Sequence, residues 1–261
     1  VFKIAGKAER QEVMRVESNF LFVLPTYRQI FPAYFCSMAV NTEQFEAIKK
    51  ELGSAVTLVA VSKTKPVEDI KALYDLGQRD FGENYVQELI EKQPLLPADI
   101  RWHFIGHLQS NKVKYIAPYV HLIYGVDSLK LLLEIDKQAK KLNRVIHCLL
   151  QVHIAQEETK FGFSEVELAE VMEDLRKYTS LGQLQNVQVQ GLMGMASFSE
   201  DQQLLQKEFL FLKLLFDKYF SSSTGVQAPL LSMGMSSDYR LAIASGSNLV
   251  RIGSLLFGAR Q

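Results

Sequence analysis

The sequence predicts an α/β protein whose strands close into a (β/α)8 TIM barrel. Three observations carry that prediction. From residue 38 onward, short apolar runs alternate strictly with stretches of helical period, which calls for parallel pairing through right-handed crossovers. Eight strand-like and eight helix-like segments follow one another. The 223 residues of 39–261 then give about 28 per unit, the size of one βα repeat. The runner-up is an open doubly wound sheet, but the chain has no GxGxxG fingerprint and no point where its direction reverses.

Residues 41–44 (NTEQ) offer a polar helix start, with Gln44 placed as in a capping box. Phe45, Ile48 and Leu52 follow at helical spacing until Gly53, giving a helix over 42–52. Residues 56–62 (VTLVAVS) form the continuous apolar, β-branched run expected of a strand buried on both faces. Pro66 opens a helix over 66–76, where its missing N–H is harmless, and Gly77 closes it. Further strands are expected at 79–82, 100–105, 120–126, 145–153, 187–194, 229–234 and 248–252. Helices are expected at 84–93, 109–117, 128–142, 164–179, 201–220 and 236–244, with Ser164 and Glu167 forming a capping box. The Leu/Phe-rich stretch 204–216 reads as a helix packed broadly against the barrel, not as a partner-binding helix.

Composition narrows the function classes. The chain has 261 residues, 48% hydrophobic, with 29 basic and 29 acidic side chains. That excludes a disordered protein, and it leaves no excess of positive charge for a broad grip on nucleic acid. Cys36 and Cys148 make no disulfide framework and no zinc knuckle, and read as two reduced thiols of a cytoplasmic protein. Residues 1–37 differ from the rest. Phe20–Tyr27 is apolar, but Pro25 and Arg28 interrupt it far short of a membrane span, and Glu9, Glu12 and Glu17 spoil the basic start of a signal peptide. The chain begins with Val1 and offers a start at Met38. The expectation is an N-terminal extension outside the fold, with a targeting or membrane-surface segment as the alternative.

A barrel of this kind carries its chemistry at the carboxyl ends of its strands. The first strand ends in Lys63, where partial desolvation disfavours the ammonium form and frees an amine to attack a carbonyl. The alternative is an ordinary surface lysine, and Lys65, two residues on, is the expected exposed control. Ser236 and Ser237 leave the seventh strand where backbone N–H groups and hydroxyls can bind an anion, or where SSD merely caps a helix. Gly253 and Ser254 leave the eighth strand, and a glycine there lets a ligand approach the backbone. Loops seven and eight are the usual phosphate site of this barrel. Arg251 lies within an apolar strand, either paired with a barrel carboxylate or facing a ligand as a fixed cation. Asn84, at the end of the second strand, either donates to a ligand oxygen or caps the next helix. His103 and His107 are spaced i, i+4, but the glutamate of a zinc helix is missing and Gly106 breaks the helix that spacing needs; no metal is expected. His121, His147 and His153 read as structural, and neither a GxSxG elbow nor a P-loop occurs.

The segments AVSKTKP (60–66), FGENYVQE (81–88), WHFIGHLQSNK (102–112), GLMGMAS (191–197), LSMGMSSDY (231–239) and VRIGSLLFGAR (250–260) together resemble the pyridoxal phosphate homeostasis protein family. The resemblance runs over roughly 56–260. It implies a fold type III barrel like the N-terminal domain of alanine racemase, holding pyridoxal 5′-phosphate (PLP) as an internal aldimine. By motif, Lys63 corresponds to the Schiff-base lysine. Gly253 and Ser254 correspond to backbone phosphate ligands, with a side-chain contact from Ser236. Arg251 resembles the arginine facing the pyridine nitrogen, and Asn84 falls near the ring oxygen. Ser254 stands where many relatives have Thr, which keeps the hydroxyl.

An arginine at the pyridine nitrogen keeps its proton, so the ring stays a weak electron sink and carbanion chemistry is limited. Racemases of this fold add a β-domain after the barrel; here the chain ends nine residues after the last expected strand, and that domain is expected to be absent. Racemisation needs a group on each face of the substrate carbon, and only Lys63 is apparent. The expectation is therefore a monomeric, non-enzymatic PLP-binding protein of vitamin B6 homeostasis, with apo-PLP enzymes as recipients. The alternatives are a PLP-dependent amino-acid racemase and, without PLP, an aldolase-like barrel using Lys63.

Overall fold

A computed structural model describes residues 40–157, 161–220 and 226–258. Helix α1 (Thr42–Leu52) precedes the barrel. The repeating units follow as β1 (Thr57–Val61), α2 (Val67–Asp75), β2 (Asp80–Glu83), α3 (Val86–Lys92), β3 (Arg101–Phe104), α4 (Val113–Ile116), β4 (Val120–Val126) and α5 (Leu129–Lys141). They continue as β5 (Ile146–Val152), α6 (Glu165–Ser180), β6 (Val187–Gly194), α7 (Gln202–Phe220), β7 (Leu230–Ser232), α8 (Tyr239–Ala244), β8 (Leu249–Ile252) and α9 (Ser254–Phe257).

All eight strands pair in parallel in sequence order, and β8 returns to β1 with Thr57 opposite Leu249 and Ala60 opposite Ile252, which closes the barrel. The strands are short and apolar because both faces are covered. Along β1 the period of two is plain. Val59 packs inside the barrel with Leu122, Tyr124, Leu149, Met193 and Leu249, whereas Leu58 and Ala60 belong to the outer core beneath the helices.

Local signals place the helix ends. Asn41 Oδ1 accepts the Gln44 N–H at 2.9 Å, and Gly53 ends α1 with φ 58°. Ser164 and Glu167 form the full reciprocal capping box of α6. Helix α7 buries Phe209, Leu212, Leu215 and Phe216 against the barrel, as expected, but leaves Leu210 and Leu214 exposed.

Several expectations are corrected. The helix expected over 109–117 is a 3-10 turn at Ser110–Lys112 followed by the single turn α4. The helix expected from 236 begins at Tyr239. Asp238 turns its carboxylate back to the Met235 N–H at 2.6 Å, so 236–238 is a turn and SSD is not a side-chain cap. Helix α9 was not expected at all. It completes the eighth βα unit, because α1 lies ahead of the first strand. The expectations for residues 1–37, Cys36 included, lie outside the described residues. Cys148 is a buried free thiol on β5, its pKa pushed up by burial.

Candidate functional site

A cavity of about 500 Å³ opens at the carboxyl ends of the strands. All six residues singled out in the sequence line it: Lys63 after β1, Asn84 after β2, Ser236 after β7, Arg251 on β8, and Gly253 and Ser254 where β8 meets α9. They span nearly 200 residues of chain, and closure of the barrel brings them to one hollow. Ile105, Met195, Phe198 and Leu255 add apolar wall that the sequence reading did not single out.

The Lys63 side is built from a turn and buried charges. Ser62 extends the pairing of β1 with β2 by donating its N–H to Gly82 O at 2.9 Å. The Lys65 N–H then reaches back to Ser62 O at 3.0 Å, which makes 62–65 a tight turn with Lys63 at its second position. Lys63 is half-buried and so is Lys65. The expectation of an exposed Lys65 is corrected: its Nζ donates to Phe257 O at 2.7 Å, because the last turn of the described chain, α9, ends against this loop.

Behind the turn, Lys92 is 8% exposed. Its ammonium donates to Ser62 O (2.9 Å), Glu83 Oε1 (2.9 Å) and Glu88 Oε2 (2.8 Å). Ser62 Oγ also donates to Glu83 Oε1 at 2.7 Å. Burial pushes the Glu83 carboxyl up against the pull of Lys92. None of these partners announces itself in the sequence, where Glu83, Glu88 and Lys92 read as ordinary charges of a strand end and a helix.

The opposite side is built from small residues. Ser236 Oγ accepts the Gly253 N–H at 3.2 Å and ties the β7 and β8 loops together. The Leu256 and Phe257 N–H groups both reach Gly253 O, while Ser254 and Leu255, first in the α9 turn, have no acceptor within it. A Cβ at Gly253 would lie 3.3 Å from the Val61 carbonyl oxygen, so close packing on β1 also favours glycine there.

Arg251 is 4% exposed and forms the cavity floor. It donates to Ser232 Oγ at 2.6 Å and to Gly194 O at 3.1 Å, and among the described residues no salt bridge includes it. Burial pushes its pKa down. Asn84 does not cap α3, whose N-cap is Tyr85, and its buried Oδ1 has no partner among the described residues. Gly106 lies against it so tightly that any Cβ would collide with the Asn84 carbonyl oxygen.

A second polar group begins at the amino ends of β2 and β3, with Asp80 and Arg101, and reaches into the barrel at Tyr124. Arg101 holds Asp80 through two bonds of 2.7 and 2.5 Å. His103 bridges Asp80 and Tyr124, with Nε2 2.9 Å from Asp80 Oδ1 and Nδ1 2.8 Å from the Tyr124 hydroxyl, both within hydrogen-bond distance. Burial pushes Asp80 up, but the His103 and Arg101 contacts outweigh it and hold the carboxyl well below the usual range. His107 stands elsewhere, 3.2 Å from Asp127 and stacked on Phe161. Among the described residues no group of three or more metal-type side chains forms.

The family model for the alanine racemase N-terminal domain matches residues 39–261. A pyridoxal phosphate homeostasis protein of Aquifex aeolicus is 42% identical over 205 residues, covering 78% of this chain and 87% of that protein. One from Schizosaccharomyces pombe is 39% identical over 211 residues, covering 80% and 86%. Among solved structures, PipY of Synechococcus elongatus with PLP bound superposes with a TM-score of 0.74 at 36% identity, covering 85% of this chain and 100% of that one. Alanine racemase of Clostridium difficile shares the fold at 18% identity and a TM-score of 0.65, covering 84% of this chain and 56% of that one.

Proposed function

The chain belongs to the pyridoxal phosphate homeostasis protein family, and from that premise we propose that it holds PLP in the cavity at the barrel mouth, as a reservoir with little or no turnover. The residues present fit that group. A buried cation, a buried amide oxygen without a partner among the described residues, and a cradle of serine hydroxyls and turn N–H groups converge with Lys63 and Lys65 on a single hollow. That convergence is the observation that carries the reading.

When bound, the cofactor supplies an aldehyde that condenses with a primary amine, a C=N link replacing C=O as one water leaves. Lys63 would supply the amine. Gly253 and Ser254 would offer backbone groups, and Ser236 a hydroxyl, to the phosphate. Arg251 would face the ring nitrogen with donors only, keeping its own proton and limiting the ring as an electron sink. Asn84 would turn its amide to the ring oxygen.

The test is borohydride reduction of the PLP-loaded protein, followed by peptide mass mapping. One cofactor adduct per chain is expected on the peptide carrying Lys63, and none in Lys63→Ala. Label on another lysine, or equal label in the variant, would end the proposal. Low turnover is checked in the PLP-loaded protein before reduction, where single amino acids should keep their chirality.

The same reading extends to apo-enzymes that require PLP as recipients, to a monomer, to a cytoplasmic location and to residues 1–37 as an extension. The balanced charge and the two cysteines support the location, and the start of the family match at residue 39 supports the boundary. Among the described residues no helix is long and apolar enough to cross a membrane.

A further inference from the structure

The turn that carries Lys63 holds a residue of the wrong type. Among the described residues, two non-glycine residues have positive φ: Asn143 at 50° and Thr64 at 62°. Asparagine tolerates that region, whereas a β-branched threonine is an outlier in it. Thr64 occupies the third position of the 62–65 turn. A positive φ there, and not at the second position, belongs to a type II turn, which favours glycine or asparagine. In the commoner type I turn, which suits threonine, the central Lys63–Thr64 peptide is flipped and its N–H points the other way.

That N–H is the one Glu88 holds. Thr64 N donates to Glu88 Oε2 at 2.7 Å, and the same oxygen accepts from Lys92 at 2.8 Å. Lys92 in turn grips Ser62 O and Glu83, so a buried cation spans the turn from its first residue to its third through Glu88. The carboxylate therefore bonds the single peptide whose orientation distinguishes the two turn types.

We propose that Glu88 is a positioning residue for Lys63: it locks the Lys63–Thr64 peptide in the orientation that Thr64 alone disfavours, and so sets the amine-bearing backbone before a ligand arrives. Strain of this kind persists only where the surroundings over-determine it. The inference rests on reading Lys63 as the covalent anchor. The amine is the form that attacks; summed from the ammonium, condensation gives a protonated C=N link and one water with no net proton released, and none is routed to Glu88. Its part is geometric.

The experiment uses the full chain in four forms: wild type, Glu88→Ala, Thr64→Gly and the double variant. Glu88→Gln is added because it keeps an oxygen for the Thr64 N–H and is nearly isosteric should Glu88→Ala fail to fold. Each is titrated with PLP, and two quantities are read: total PLP bound by equilibrium dialysis, and the PLP concentration giving half-maximal borohydride fixation at Lys63. Glu88→Ala is expected to raise that concentration roughly tenfold while total binding falls less. In the Thr64→Gly background the same change is expected to cost no more than about twofold, because glycine accepts the turn without the lock. Glu88→Gln should fall between wild type and Glu88→Ala. A merely structural Glu88 would instead lower the thermal midpoint and fixation by the same factor in both backgrounds, and that additivity would overturn the inference. So would a Glu88→Ala protein that fixes PLP like wild type. Absence of label on Lys63 in the wild-type protein would instead bring down the proposed function itself, and this inference with it.

Discussion

At the amino end of the barrel, Asp80, Arg101, His103 and Tyr124 bond one another through carboxylate, guanidinium, imidazole and hydroxyl. At the carboxyl end, among the described residues, Arg251 donates to a hydroxyl and a carbonyl, Asn84 Oδ1 has no partner, and both line a cavity. Both regions bury polar groups in the same short-stranded barrel. The base pairs opposite charges with each other, whereas the mouth leaves capacity open toward a hollow. Burial of charge therefore does not by itself mark a site. Buried charge left with only neutral partners, beside space, is the more informative sign.

The comparison can be broken at either end. The largest effect is expected at the base. Asp80→Ala leaves the buried His103 without its carboxylate while Arg101 turns to solvent, and should cost about 2 kcal/mol in urea unfolding, with PLP affinity of the folded protein within about twofold of wild type. A comparable loss of affinity would show that base and mouth act as one unit. At the mouth, Arg251→Met should weaken PLP binding roughly tenfold by titration, while stability stays within about 1 kcal/mol, since burying the unpaired cation was itself costly. A large loss of stability would mean that Arg251 is a structural strut. The smallest effect concerns pH. Asp80 is held below its unfolded value, so its contribution is present above the unfolded pKa and is lost as pH falls toward the depressed folded value. About 1 kcal/mol should disappear between pH 5 and pH 3, and Asp80→Asn should flatten that limb of the unfolding curve. Glu83 has the opposite sign: its carboxyl is raised, so its cost is present above the raised value and is relieved on acidification.

Much of the site was legible because the candidates lie in or just after the apolar runs that read as strands. Lys63 follows VTLVAVS, and Gly253 and Ser254 follow LVRI, so a barrel hypothesis was enough to bring them to one face. Lys65 was misread because its partner, Phe257 O, lies in a helix that four residues of apolar sequence did not announce. The start of α8 was misplaced because the Asp238 carboxylate bonds backward to Met235, a choice that propensity does not decide.

The strand order, the count of eight strands and the six polar and glycine candidates at the mouth were properties of the chain alone, because hydrophobic period and Gly/Pro punctuation act over a few neighbouring residues. The grip of Glu88 on Thr64, the Ser62–Glu83 bond, the Asp80–His103–Tyr124 chain and the Ser236–Gly253 tie join residues 17 to 24 apart, about one βα repeat. Each pair meets only when neighbouring strands and their loops come side by side. Which charged group is locked and which is left facing the cavity was therefore decided by the barrel, through partners that no local pattern specifies.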